Sequence, residues 1–464
     1  MSRIVIVGGG PGGYEAALVA RQLGADVTLV DRDGPGGSAV LTDCVPSKAL
    51  IATADVITTT AASASLGVRI NGQAPGPAMI GADLRAVNER ILALVGAQSD
   101  DIRDRLLHDG VQIISGTGRL TSDGGVIASI VGGAHETLPA DVVLLATGAR
   151  PRVLADALPD GERILTWEQL YALDEVPERL IVVGSGVTGA EFAGAYHALG
   201  SRVVLISSRE HVLPGEDPDA ARVIESVYDR RGLEVLGASR AAAARRTDDG
   251  VEVTLTSGEV VTGSHVLMAV GSLPNTDNLG LTEAGVETDK AGFITVDRVS
   301  RTTRRGVYAA GDCTGVLMLA SVAAMQGRIA MWHALGDAVA PLELSTVSST
   351  VFTNPEIATV GLTQRDLDEG RFRGDVVLVP LARNARAKMD EQLDGFVKLF
   401  CRRGSRIVAG AVIVSHRASE LIHPLTIAVE QRLTVDELAA ASTVYPSLSG
   451  TIAEAARRLH IATE

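Results

Sequence analysis

Uninterrupted apolar runs closed by glycines are the first regularity along this chain. Ile4-Val5-Ile6-Val7 contains no polar position, the pattern of a strand buried on both faces. It runs into Gly8-Gly9-Gly10-Pro11-Gly12-Gly13 and then an alanine-rich stretch that predicts a helix. Asp26-Val27-Thr28-Leu29-Val30 is a second strand, ended by Asp31. The same succession returns further on: Leu180-Ile181-Val182-Val183, then Gly184-Ser185-Gly186-Val187-Thr188-Gly189, a second predicted helix, and the strand Arg202-Val203-Val204-Leu205-Ile206. Strand, glycine turn and helix, given twice, predict an α/β chain with two Rossmann-like (three-layer ββα) dinucleotide-binding domains.

Each turn has the chemistry such a site needs. Gly8 permits the sharp bend, Gly10 lets the backbone approach a pyrophosphate, and Gly13 lets the helix pack on the strand, while the helix N-terminus offers free N–H groups to the anion. Asp31 is placed to accept from a ribose 2′-OH, with Arg32 beside it. Gly184, Gly186 and Gly189 repeat the arrangement, but Ser207 stands where the second acid would be, followed by Ser208 and Arg209. Hydroxyls and a guanidinium receive a 2′-phosphate where an acid would repel it, so NADPH is expected, with NADH still possible. The alternative is that Arg209 is a solvated loop charge.

Composition narrows the class. With 464 residues and 46% hydrophobic content the chain is expected to form two or three domains, and 50 glycines with 3% aromatics suit α/β folds rich in tight turns. A net charge of −14 argues against nucleic acid or an anionic membrane as partner. No apolar run is long enough to span a bilayer, and the start lacks a signal-peptide pattern. Three cysteines, at 44, 313 and 401, have no metal-ligand spacing. A cytoplasmic enzyme without a metal centre is expected.

The segment Gly36-Gly37-Ser38-Ala39-Val40-Leu41-Thr42-Asp43-Cys44-Val45-Pro46-Ser47-Lys48 resembles the motif G-G-T-C-x4-C-x-P-S-K of the flavoprotein disulfide reductases (lipoamide dehydrogenase, glutathione reductase, mercuric reductase), with Ala39 in place of the first cysteine. Ala146-Thr147-Gly148 and Ala269-Val270-Gly271-Ser272-Leu273-Pro274-Asn275 resemble the two passages between that family's FAD and NAD(P) domains, the second departing from the usual pattern at Ser272. Val307-Tyr308-Ala309-Ala310-Gly311-Asp312 resembles the second FAD motif, and Met318-Leu319-Ala320 would open a helix aimed at the flavin. From Val351-Phe352-Thr353-Asn354-Pro355-Glu356 onward the chain resembles the family's α+β C-terminal dimerisation domain.

The resemblance implies an FAD-binding domain over 1–150 and 273–344, an NAD(P)-binding domain over 151–272 and an interface domain over 345–464. Besides the first glycine turn and Asp31-Arg32, it implies FAD contacts from Gly37, Ser38, Lys48, Thr147, Gly148, Gly311, Asp312, Leu319 and Ala320. Glu191 and Gly271 join the NAD(P)H site, and Lys48 and Glu191 match the ion pair beside the hydride-transfer face. A plain interdomain salt bridge is the alternative for that pair. Where relatives carry H-P-T-x-x-E, this chain reads Tyr445-Pro446-Ser447-Leu448-Ser449-Gly450, so the base and its orienting acid are missing along with the first cysteine.

What remains resembles the family's quinone-reductase offshoot: a homodimer, or a higher oligomer, in which NAD(P)H reduces FAD and a quinone-like acceptor takes two electrons directly. Tyr445 either assists that acceptor or only lines its pocket. Cys44 is read as an inert packed thiol, an electronic neighbour of the flavin, or a single redox thiol. The competing functions are an NAD(P)H oxidase or peroxidase working through Cys44, and a flavin-bearing subunit without turnover. Cys313 is expected near the cofactor or as a buried small hydrophobe.

Overall fold

In the computed structural model, which describes residues 1–461, the strand Arg3–Val7 lies inside a sheet ordered Val307–Ala309, Val142–Leu145, Arg3–Val7, Asp26–Asp31 and Gln112–Leu120, all parallel. Its side chains alternate between two apolar surroundings, which explains why no polar residue interrupts it. Ile4 and Ile6 pack against the helices Pro11–Gln22 and Ala320–Ala334, whereas Val5 and Val7 face Leu120, Val126 and Leu138 of an antiparallel layer. Gln112–Leu120 serves both layers, pairing in parallel through its first half and antiparallel with Val126–Ile130 through its second.

The second unit repeats this plan. Its parallel sheet runs Glu234–Leu236, Arg202–Ile206, Arg179–Val183, His265–Met268 and Ile164–Leu165, covered on one side by the meander Ala241–Arg246, Val251–Leu255 and Val260–Gly263. The chain enters and leaves it through a short antiparallel ribbon, Ala149–Pro151 against Ser272–Pro274. Thr147 Oγ1 donates to the Asn275 carbonyl at 2.7 Å and Asn275 Nδ2 donates to the Thr147 carbonyl at 3.0 Å, so the two crossings lock each other. Strand Val307–Ala309 then rejoins the first sheet.

The third unit is a five-stranded antiparallel sheet, Ser348–Val351, Glu356–Gly361, Val408–Ser415, Phe396–Arg402 and Gly374–Pro380, backed by helices that include His423–Glu430 and Gly450–Ile461. One apolar cluster runs through all three units, with Leu50 and Ile91 from the first, Phe192 and Tyr196 from the second, and Phe396, Phe400 and Val414 from the third. Beside it Lys398, 3% exposed, donates to Asp217 at 2.9 Å and Asp219 at 2.7 Å. Asp217 also caps the helix Pro218–Arg231. A lysine so deep is tolerable only because both carboxylates meet it.

Candidate active site

The Arg3–Val7 strand, the helices Pro11–Gln22, Gly37–Leu41 and Cys44–Ala62, and the N-terminus of Ala320–Ala334 converge on a cleft of about 1080 Å³. Gly8 has φ +105°, and a Cβ there would collide with the Ala146 carbonyl oxygen; a Cβ on Gly13 would lie inside the Gly8 carbonyl. Gly10, by contrast, would bring a Cβ only into ordinary contact with Gly37 Cα at 3.9 Å, and it caps the helix with no side chain of its own. Bare N–H groups therefore face the cleft, as a pyrophosphate requires. Asp31 is already oriented, accepting from Gly9 N at 2.6 Å and Gly34 N at 2.6 Å. Arg32 lines the mouth with its guanidinium on Asp33 at 2.7 Å. Gly37, Ser38, Thr147, Gly148, Gly311, Asp312 and Ala320 line the same cleft. Leu319 is the N-cap of its helix. These residues fit a dinucleotide of FAD's length, reaching from Asp31 at one end to Cys44 and Asp312 at the other.

The second turn reproduces the first. Gly184 has φ +109° under the Ala269 carbonyl, a Cβ on Gly189 would lie inside the Gly184 carbonyl, and Gly186 is open. Gly271, with φ +96°, starts the ribbon back to the first unit. Ser207 departs from expectation: it is fully buried, its hydroxyl lying 2.7 Å from Ser185 Oγ and 2.9 Å from the Arg209 carbonyl. The hydroxyl ties down its own loop and is not presented to a ligand. Ser208 and Arg209 are exposed.

Behind Asp43 and Cys44, and not itself part of the cleft lining where an FAD contact was expected of it, Lys48 from the helix Cys44–Ala62 meets Glu191 from the helix Val187–Ala198, Nζ to Oε2 at 2.8 Å. Glu191 is 3% exposed, and its Oε1 accepts from Phe352 N at 2.8 Å. Burial pulls the Lys48 ammonium down, but the Glu191 carboxylate outweighs it and the net shift is upward. Burial pushes Glu191 up against the pull of Lys48. The lysine is held charged, and the carboxylate accepts two hydrogen bonds, one from each neighbour.

Ala39, Asp43, Cys44 and Asp312 line the cleft at this end. Burial pushes the Cys44 thiol up to about 11, and the Asp43 carboxylate adds to the shift. All three cysteines are free; Cys313 is buried, with its thiol 3.3 Å from the Ala310 carbonyl, and Cys401 is buried within the strand Phe396–Arg402. Tyr445 is 85% exposed and does not line its own chain's cleft.

Burial, aided by Asp43, pushes Asp312 up to about 6. Unfolded, it titrates near 3.8, so between these values the folded FAD-free protein binds more protons and this group's contribution to stability falls as pH rises. Above that window the penalty is complete. Asp312→Asn should therefore stabilise the FAD-free protein by on the order of 2 kcal/mol near pH 7.5, and flatten its stability between pH 4 and 6, in urea melts followed by circular dichroism.

Three contributors escaped the sequence reading. Gln326, 1% exposed, accepts from Gly311 N at 2.8 Å and so fixes the loop carrying Asp312. Phe352 lies far along the chain from the pair it touches. Asp43 sits next to Cys44 in the quoted motif, and a carboxylate at that place was the signal available.

No helix among the described residues is long and apolar enough to cross a membrane, and those residues hold no cluster of three or more potential metal ligands. A family model described as pyridine nucleotide-disulphide oxidoreductase matches residues 2–327, and one for that family's dimerisation domain matches residues 347–456. A Mycobacterium tuberculosis protein named NAD(P)H dehydrogenase (quinone) is 53% identical over 99% of this chain and 94% of its own length. Dihydrolipoyl dehydrogenase 2 of Haloarcula marismortui is 34% identical over 98% of this chain and 96% of its own. The crystal structure of LpdA from Mycobacterium tuberculosis superposes with a TM-score of 0.94 at 52% identity, over 99% of this chain and all of that one.

Proposed function

The chain belongs to the pyridine nucleotide-disulphide oxidoreductase family, and from that membership we propose that this oxidoreductase passes two electrons from NAD(P)H through FAD to a quinone with no sulfur relay between. The observation that carries the reading is the contrast between neighbours: the Lys48–Glu191 pair is intact at 2.8 Å, whereas Cys44, at the cleft wall, has no partner cysteine and its thiol is pushed up to about 11. The 53% identical relative named as a quinone dehydrogenase supports it. FAD, when bound, supplies the two-electron carrier. The overall change is NAD(P)H, quinone and one proton giving NAD(P)⁺ and hydroquinone.

The chain's own groups have separable tasks. Gly10 and the helix N-terminus behind it hold the FAD pyrophosphate, and Asp31 holds the adenosine ribose. Gly186 does the same for NAD(P)H, with Ser208 and Arg209 receiving a 2′-phosphate. Lys48 keeps a positive charge where negative charge gathers during hydride transfer, and Glu191 keeps Lys48 in place. Ala39 leaves room on the acceptor side. Tyr445 meets the acceptor across a homodimer interface, contributed by one subunit to its partner's cleft; its exposure and its place in the matched dimerisation region support this.

A thiol held mostly protonated is a poor nucleophile, which supports the inert reading of Cys44. Cys44→Ser should keep quinone reduction within about twofold, measured as NADPH consumption with menadione; an oxidase or peroxidase working through sulfur would lose its activity. The reading is tested by a steady-state screen of the purified protein with NADPH and NADH against menadione, benzoquinones, lipoamide, oxidised glutathione and O2. Turnover confined to the quinones is expected, and lipoamide turnover matching theirs would overturn it.

A further inference from the structure

Glu191 is gripped by all three units of the fold. One oxygen takes the Lys48 ammonium, and the other takes the N–H of Phe352 at 2.8 Å. The Phe352 ring also faces Lys48, with Nζ 5.0 Å from its centroid. That segment is fixed by its neighbour: Asn354 Nδ2 donates to Asp55 in the helix Cys44–Ala62 at 2.6 Å, and Arg231 in the helix Pro218–Arg231 donates to Asn354 Oδ1 at 2.9 Å. Phe352 is thus pinned to the first and second units on either side of the pair.

The ring and the N–H have different consequences. The N–H occupies the carboxylate oxygen that Lys48 does not use, so Glu191 cannot rotate away from the ammonium. The ring attracts the cation without accepting a directed hydrogen bond, so it takes up none of the other ammonium N–H groups. We propose that Phe352 is a positioning residue for hydride transfer, holding the Lys48–Glu191 pair in register through its N–H and its ring face. The proposal rests on the hydride-accepting half of the reading above and is independent of which acceptor follows.

The test uses the full-length FAD-loaded protein with Phe352→Leu, Phe352→Tyr and Phe352→Trp, all of which keep the backbone N–H. Phe352→Leu should slow anaerobic reduction by NADPH about 3- to 30-fold with little change in the NADPH concentration giving half-maximal rate, and Phe352→Tyr should restore the rate. A second readout is independent of turnover: the pH midpoint of Lys48 acylation by acetic anhydride, followed by peptide mass spectrometry. Asp43, Cys44 and Glu191 also act on this lysine and are unchanged in every variant. The midpoint should fall with leucine, hold with tyrosine and rise with tryptophan. If leucine leaves both rate and midpoint at wild-type values, or tyrosine is as slow as leucine, the proposal is overturned. Should leucine not fold, the tryptophan midpoint decides: a rise supports the proposal, no rise overturns it. Wild-type protein that takes hydride yet reduces no quinone would sink the acceptor assignment and leave this one standing.

Discussion

Glu191→Gln should yield a protein that still purifies with FAD but is reduced by NADPH about 100-fold more slowly in anaerobic stopped flow, because the Lys48 charge is no longer held at the hydride-transfer face. The same change strands an ammonium whose only countercharge in direct contact among the described residues is removed. Breaking a buried pair on one side costs about 3–5 kcal/mol; here about 3 is expected, since the Lys48 side chain keeps 29% exposure. Stability and rate should then separate in the double variant Lys48→Met/Glu191→Leu. With neither charge left to desolvate, urea stability should recover most of the loss, whereas hydride transfer should stay at the level of the single variant. Full recovery of the rate in the double variant would show that the pair is only structural.

The paired glycines give an equally large and more selective result. Gly13→Ala forces a methyl into the Gly8 carbonyl, and both are backbone positions that cannot give way without moving strand against helix. The protein is expected to emerge colourless, without FAD. Gly189→Ala makes the same collision with Gly184 at the second turn, which lines no part of the first cleft. That variant should remain yellow and hold its full flavin content, yet show at least about a 100-fold loss in reduction by NADPH while dithionite still bleaches it. Absorbance at the flavin band, before and after each reductant, checks both. If Gly189→Ala lost flavin too, the two turns would not serve separate nucleotides.

Much of this was legible in the sequence because it is local. Apolar runs without polar interruption mark strands covered on both faces, and the glycine turns need no partner beyond their own strand and helix. Lys48 and Glu191 could be paired through resemblance, although 142 residues separate them from one another in the chain. Ser207 shows where such reading fails. At that strand end a hydroxyl looks the same in sequence whether it faces ligand or loop, and only the fold decides that it satisfies Ser185 and the Arg209 carbonyl. Phe352 could not be found at all from its side chain type, since half its contribution is a backbone N–H. Lys398 was equally silent: a lysine inside a strand reads as exposed until Asp217 and Asp219 arrive from another unit.

The apolar cluster shared by all three units, with Lys398 riveted into it, also says how ligands must come and go. Swinging the second nucleotide unit away from the third would bare part of that cluster and strip Lys398 of both carboxylates at once. The protein is therefore a standing frame in which the spacing of the two nucleotide turns stays constant, and reactants pass through fixed openings instead of being clasped by closing jaws. In such a frame a new acceptor is gained by exchanging side chains at the rim, with the interior left untouched.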